Sequence, residues 1–582
     1  MRKFKTTQAF ISSFSSNPLR NGSVETEGFY EAGDGGGGVW MYTGVTNLTP
    51  SQTPSQLGSP FLHDASGNKW SADRSKPLTL ASLGGVGSAD DTLAIFAWLT
   101  AAGDLYAGDG TYTVAAAGAN AGGVLVDLVK NTKVTCSPNA IFKAGQNLDN
   151  DIIRLEVPNG VQANQVTVEW IGGTIDLRLQ RNSTSVPFST NYPPANLGSS
   201  ATTDGLSIIG IYDNGGAKQG VSKCTVHGTT FIATDNTWES AGGDSGLNTA
   251  SGDDTVYNCR FIGCRDLGIY HSSDSFNDSG LGLGNTLKVF GNTFEKCMFG
   301  VSSKRGADNG GIYGNVFIDC IEAISNAPFD KRSVCFSITG NTINGYIFGI
   351  DVNSNDGVAI SNNVIINAGL LLEDGTVPTA NFTNPQAITL RGVIDGTVTA
   401  NVISGKIPEF SALSCEGIVF EAQDTGAGLI ASDDNLVMSN IIKNIDEPFT
   451  SSDFLNNSIA LNKVAGTNDN SWNMAIRNLV QRSGGELTIA GGVITINSSY
   501  HNVDTEASAA SDDLDTINGG TDGQRLILKA NASTRTVVIK DTSGNIQIAG
   551  DFSLTNQADF IELIYDVGTS FWYELSRSDN GA

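Results

Sequence analysis

The chain has 582 residues, a formal net charge of −26, only 16% charged residues and 69 glycines. So acidic a surface repels nucleic acid and anionic membranes, and no continuous apolar run of about 18 residues exists to span a bilayer. Sparse charge with abundant glycine also argues against disorder and helical bundles and for an all-β protein with many tight turns.

In chain order, residues 1–75 are rich in Gly, Ser, Thr and Pro and read as a small N-terminal module. The opening "MRKFKTTQAFISSFSS" is basic, but serines break its apolar run. No secretion signal is expected, and synthesis in the cytoplasm of the producing cell follows. Residues 76–484 form the main domain. Its entry, "LTLASLGGVGSADDTLAIFAWLTAAGDLYAGDGTYTV" (Leu78 to Val114), predicts a short helix capped by Ser88 or Asp90. Ile95, Trp98 and Leu99 form its apolar face, it ends near Gly103, and a strand begins at "GTYTV". Such a helix covers the open end of a stack of strands.

From Val166 to Val464 the sequence repeats. Asparagine, any residue, then Phe, Ile or Val recurs at Asn292, Asn315, Asn341, Asn363, Asn401, Asn440 and Asn462. The shorter intervals suit one coil of a parallel β-helix, and the longer ones need a loop insertion or an extra coil. Each coil has three short strands that bury alternate side chains, and the next coil stacks about 4.8 Å above it. Equivalent residues then form ladders, asparagine at turns and Phe, Ile or Cys inside. Cys264, Cys297 and Cys320 each follow a phenylalanine (Phe261, Phe294, Phe317) by three residues, which predicts stacked, reduced thiols. No Cys/His spacing suits a metal, and no cofactor is expected. Residues 485–582 alternate apolar and polar with turn signals such as "TSGN", predicting an antiparallel β-sandwich.

Three stretches resemble phage tailspikes and related pectate-lyase-like proteins. They are "GFYEAGDGGGGVWMYTG" (Gly28 to Gly44), the helix-capped entry just quoted, and "VDTEASAASDDLDTINGGTDGQRLILKA" (Val503 to Ala530). In the entry, Leu83, Gly84, Asp91, Thr92, Ile95 and "GTYTV" match, while the usual proline before the final glycine is replaced within "YAGDGTY". The resemblance implies a right-handed, single-stranded parallel β-helix and a homotrimer. It implies a virion tail protein, joined through its N-terminus to the tail or an adaptor protein. The expected partner is a bacterial surface polysaccharide, which the spike binds and cuts. The C-terminal domain is then expected to serve trimerisation or carbohydrate binding. One such scaffold carries hydrolases, lyases and pure binders, so the chemistry must come from the site.

Asp244, Asp274, Asp330 and Asp356 each lie thirteen residues after an apolar strand residue (Phe231, Phe261, Phe317, Ile343). Equal turns would stack them in one column. Neighbouring coils then offer about the 5–5.5 Å of a retaining glycosidase, and next-but-one coils about the 9.5 Å limit of an inverting one. Asp244 with Asp274 is the first catalytic pair, with Glu239 beside Trp238 as the next candidate. A rival set favours β-elimination on a uronate polymer: Tyr270 or His271 as base, Lys304 and Arg305 as clamp. Substrate-binding candidates are therefore Trp238, Tyr270, His271, Lys304, Arg305 and Asp330. Abundant carboxylates favour hydrolysis, with the lyase, a non-catalytic spike and a structural adhesin as alternatives.

Overall fold

A computed structural model describes residues 2–13, 23–27, 29–30, 37–45, 61–64, 68–85, 87–115, 123–145, 148, 150–157, 166–178, 204–209, 211–213, 218–233, 245–264, 267–272, 286–304, 310–327, 333–371, 384–410, 414–424, 429–451, 457–465 and 483–580. Among them the first compact unit, Met1–Met474, is a parallel β-helix with a small sheet at its N-terminal end.

The reason is visible in one ladder. Phe231, Phe261, Phe294, Phe317 and Ile343 pair in register, each one coil above the last. The phenyl rings stack 4.7, 4.8 and 4.7 Å apart, nearly coplanar. Small residues face them from the opposite wall. A Cβ on Gly268 would lie 2.8 Å from the Phe294 ring, and one on Gly300 2.6 Å from Phe317. The expected asparagine ladder runs unbroken from Asn292 to Asn462. Each side-chain oxygen accepts the backbone N–H of the coil below, and each amide donates to the next oxygen, at 2.9–3.0 Å throughout. Turn backbone buried in this way leaves no orphan donor.

The coil has three sides. The first is a 14-stranded sheet from Leu78–Thr79 and Gly103–Ala107 to Ser458–Ala460. The other two form one 21-stranded sheet, because long strands such as Val316–Ala327 and Thr342–Asn353 turn the corner between them. Helix Thr92–Ala101 closes the N-terminal end. Asp90 Oδ1 accepts the Thr92 N–H, and Ile95, Trp98 and Leu99 are fully buried. Five strands between Arg2 and Ala72 form the N-terminal sheet, whose Trp40 and Trp70 join the same continuous core.

The second unit, Ala475–Ala582, has its own core around Leu514, Ile517, Leu528 and Trp572. The expected antiparallel sandwich gives way to a mixed arrangement. Ser483–Thr488, Tyr500–Asp504 and Arg525–Ala530 pair in parallel, as do Val493–Thr495 with Thr516–Asn518 and Ser511–Leu514 with Thr536–Ile539. Antiparallel pairing comes with Phe552–Leu554, Phe560–Asp566 and Phe571–Ser578. Alternation reports that a strand has two unlike faces; it does not report the direction of its neighbour.

Candidate active site

The third side of the coil is built from Ile153–Glu156, Leu206–Ile209, Ser245–Ala250, Leu267–Ser272, Phe299–Lys304, the later halves of Val316–Ala327 and Thr342–Asn353, Gln386–Arg391 and Glu416–Glu421. Leu247, Ile269, Val301, Ile324, Ile350 and Ile388 point inward in register. The next position is polar from Ser207 through Asn248, Tyr270, Ser302, Ser325 and Asp351 to Thr389 and gives way to Val419 on the following coil; Tyr270 is half-buried and the other polar members are buried. This row lines hydrogen-bonding groups along the coil axis, and Tyr270 is its half-buried member.

One end of the row holds two stacked carboxyls. Asp151 and Asp204 precede neighbouring strands, and the Asp204 N–H donates to Asp151 Oδ1 at 2.9 Å. Asp204 is held by Ser207 Oγ at 3.0 Å and by the Asn248 amide at 2.8 Å. Asp151 Oδ2 has no hydrogen-bond partner among the described residues, and Arg154 Nη1 lies 4.0 Å away. Both carboxyls are 2% exposed. Burial, reinforced by the Asp204 charge, pushes the Asp151 carboxyl up to about 7, against the pull of hydrogen bonds and Arg154. Asp151 thus keeps a proton near neutrality beside Asp204, which accepts hydrogen bonds from Ser207 and Asn248.

Further along the row, Arg391 bridges two acids from the coils on either side of its own. Its Nη1 lies 2.5 Å from Asp351 Oδ2 and its Nε 2.7 Å from Glu421 Oε2. Burial pushes Asp351 up to about 6 while Arg391 pulls it down. Burial also opposes the Arg391 charge, but Asp351 and Glu421 outweigh it and hold that guanidinium above its ordinary value. The guanidinium fills the space between its two acids, which makes this a clamp.

Of the residues singled out in the sequence, Tyr270 stands in the outward row, half-buried. Lys304 pairs through its backbone with Ser272 and Ala327; its side chain lies outside the description. Asp244, Asp274, Glu239, Trp238, Arg305 and Asp330 lie outside the described residues. His271 does not line the groove. It points into the coil, fully buried, with Nδ1 2.9 Å from the equally buried Asp254. In a strand, the neighbour of an outward residue faces inward, so Tyr270 and His271 cannot share a surface.

Of the four aspartates at the thirteen-residue offset, Asp356 alone is among the described residues. Leu247 faces Ile269, so Asp244 comes three residues before the reference position and Asp274 five after it. Asp356 pairs with Val334, not with the position of Asp330. The turns between second and third sides differ in length, and equal spacing in sequence is lost there. Asp151 and Asp204, 53 residues apart, escaped the same spacing argument. A usable signal was the small residue followed by an aliphatic one that opens third-side strands, as at Gly205-Leu206, Gly246-Leu247, Gly268-Ile269 and Gly300-Val301, with Asp204 directly before the first.

No protein-family model matches the chain, and no curated protein does. Solved structures similar to it include the tailspike protein of an Acinetobacter baumannii phage (12% identity over 80% of this chain and 65% of that one, TM-score 0.43). Others are the A-module of an Azotobacter vinelandii mannuronan C-5 epimerase (14%, 67% and 98%, TM-score 0.34) and a surface adhesin of Streptococcus pneumoniae (17%, 67% and 93%, TM-score 0.35).

Proposed function

We propose that this chain is a tailspike depolymerase that binds a bacterial surface polysaccharide along the third side of its β-helix and hydrolyses glycosidic bonds between Asp151 and Asp204. One observation carries the chemistry: two carboxyls on adjacent coils, of which Asp151, buried beside Asp204, is pushed up to about 7. Adjacent coils lie about 4.8 Å apart, close to the roughly 5–5.5 Å separation of a retaining pair. Asp151 donates its proton to the departing glycosidic oxygen as that bond breaks. Asp204 attacks the anomeric carbon and forms a glycosyl ester. Asp151, now ionised, takes a proton from water, which attacks the same carbon and frees Asp204. Tyr270, the half-buried member of the polar row, contacts a flanking sugar.

The bacterial polysaccharide, the virion tail and attachment through the N-terminus rest on the sequence resemblance. Asp244, the residue before Ser245, stays in the proposal as a carboxyl candidate. Asp274 and Glu239 stay as carboxyl candidates, and Trp238, Lys304, Arg305 and Asp330 as sugar contacts. Elimination is the second reading: Lys304, its clamp candidate, stands on the coil next to that of Tyr270, its backbone paired with Ser272, whereas Arg391 lies four coils from Tyr270, about 19 Å, too far to share its sugar.

The test is cleavage of the capsule or O-antigen to which the protein binds, followed by viscosity and reducing ends. Asp151→Asn and Asp204→Asn are each expected to lose at least about 100-fold in rate while still binding. Near-normal turnover in both removes the pair. Ultraviolet absorbance from a new carbon–carbon double bond replaces hydrolysis with elimination. Binding without any cleavage by the unaltered protein leaves an adhesive spike.

A further inference from the structure

Where the N-terminal sheet meets the entry of the β-helix there is a cavity of about 260 Å³. Strand Gly38–Val45 forms one wall, and the segment from Asp73 to Ser82 that leads into the first coil forms the other. The first wall holds a buried donor. Trp40 is fully buried, and its Nε1 has no hydrogen-bond partner among the described residues. A Cβ on Gly38 would stand 4.0 Å from that Nε1 and 3.6 Å from the Ser82 Cβ, both ordinary contacts. Gly38 also lacks a positive φ. Neither a clash nor the backbone therefore demands glycine here; its missing side chain keeps space open before the indole, as a strand glycine does where a ligand approaches. Two more donors line the cavity. Lys76 is exposed and makes no ion pair among the described residues. The Thr79 hydroxyl accepts the Ser82 N–H at 3.2 Å, which leaves its hydrogen to give. The acid on the rim, Asp73, is taken up by the N–H and the hydroxyl of Ser75, both at 2.9 Å.

We propose that this cavity binds a small carboxylate, its oxygens on the Trp40 N–H and the Lys76 ammonium and its carbon body against Pro77 and Leu78. Three features select that class. The groups left to bond are donors, so the ligand must bring acceptors. A buried indole N–H costs free energy until an acceptor reaches it, and a charged oxygen makes the stronger bond, to the indole and to the ammonium alike. The volume falls below the roughly 300 Å³ at which pockets for drug-sized ligands begin, so it admits one compact molecule on the scale of a single sugar acid. Such an acid comes either free from solution or as the uronate at the end of a saccharide, and both present the same carboxylate.

Isothermal titration calorimetry of the full chain at low salt tests this, with glucuronate as the probe and glucose as its neutral match. Glucuronate is expected to bind with a Kd of about 1 mM or tighter, and glucose to give no heat. Lys76→Met, which removes the charge, is expected to weaken glucuronate at least about tenfold, and Gly38→Val, which fills the space before the indole, to do the same. Should Gly38→Val misfold, Lys76→Met, at an exposed position, carries the test. Acetate and a disaccharide ending in glucuronate separate the two sources. Binding of the disaccharide assigns the site to a saccharide end, its exclusion to a free acid, and either upholds the proposal. No heat from glucuronate overturns it. So does equal binding of glucose, or undiminished glucuronate binding in Lys76→Met. Inorganic phosphate binding more tightly than glucuronate overturns it too and makes the cavity a phosphate site. None of these readings depends on whether Asp151 and Asp204 cleave a sugar.

Discussion

Asp151 shows what stacking does to a carboxyl. Alone on a turn it would titrate near about 3.9; buried beside Asp204 it is pushed up to about 7. The folded state therefore resists ionising it. Its contribution to stability is largest below the unfolded value, is lost as pH rises from about 4 to about 7, and is constant above that. Urea midpoints measured across this range are expected to fall with pH in the unaltered protein and to be flatter in Asp151→Asn. Matching slopes would mean that the carboxyl carries no such burden. Arg391 is the converse case. Removing it in Arg391→Met leaves Asp351, whose side chain is 8% exposed, without its counter-charge and is expected to cost about 3–5 kcal/mol. Adding Asp351→Asn should restore much of that loss; a double variant as weak as the single would mean that Arg391 acts by packing. Neither Asp151 nor Arg391 stood out in the sequence, because each matters only through a residue brought beside it by another coil.

At the scale of the element, the repeated unit is the turn before each ladder asparagine. The residue ahead of that asparagine is left-handed in every case from Asn292 to Asn462: Gly291, Gly314, Gly340, Asn362, Ala400, Ser439 and Leu461. Glycine or asparagine fits there without cost, whereas Leu461 at φ 58° and Ala400 at φ 57° are strained. The turn is kept because the ladder asparagine satisfies its buried backbone. Leu461 is 38% exposed, so Leu461→Gly removes little packing. It is expected to raise stability by about 1 kcal/mol in a urea titration; a loss would show that the side chain packs better than its exposure suggests. The asparagines were legible because a turn of fixed length keeps them a constant distance from the next phenylalanine. The third-side strands follow turns of variable length, so a constant spacing in sequence does not carry over to them; Asp356 pairs with Val334, seventeen residues after Phe317.

At the scale of the whole molecule, one interior runs through the β-helix and encloses nearly every thiol. Cys136, Cys224, Cys259, Cys264, Cys297, Cys320 and Cys415 are buried, and Cys335 is exposed. Cys264, Cys297 and Cys320 interact with one another, as the shared offset from phenylalanine predicts. Native alkylation followed by mass spectrometry is expected to modify Cys335 alone, without loss of cleavage, and all eight thiols after denaturation. Rapid native modification of Cys297 would mean that the coil opens. By itself the sequence determined the coil, its inward residues, its asparagine turn and its capping helix. Each of these is a local pattern that the 4.8 Å stacking of parallel strands converts directly into contact. Which carboxyls meet, which face histidine 271 takes and which direction the C-terminal strands run were decided by the tertiary structure. Those depend on the lengths of individual turns and on the parity of each strand, and a one-residue change in either sends a side chain to the other face.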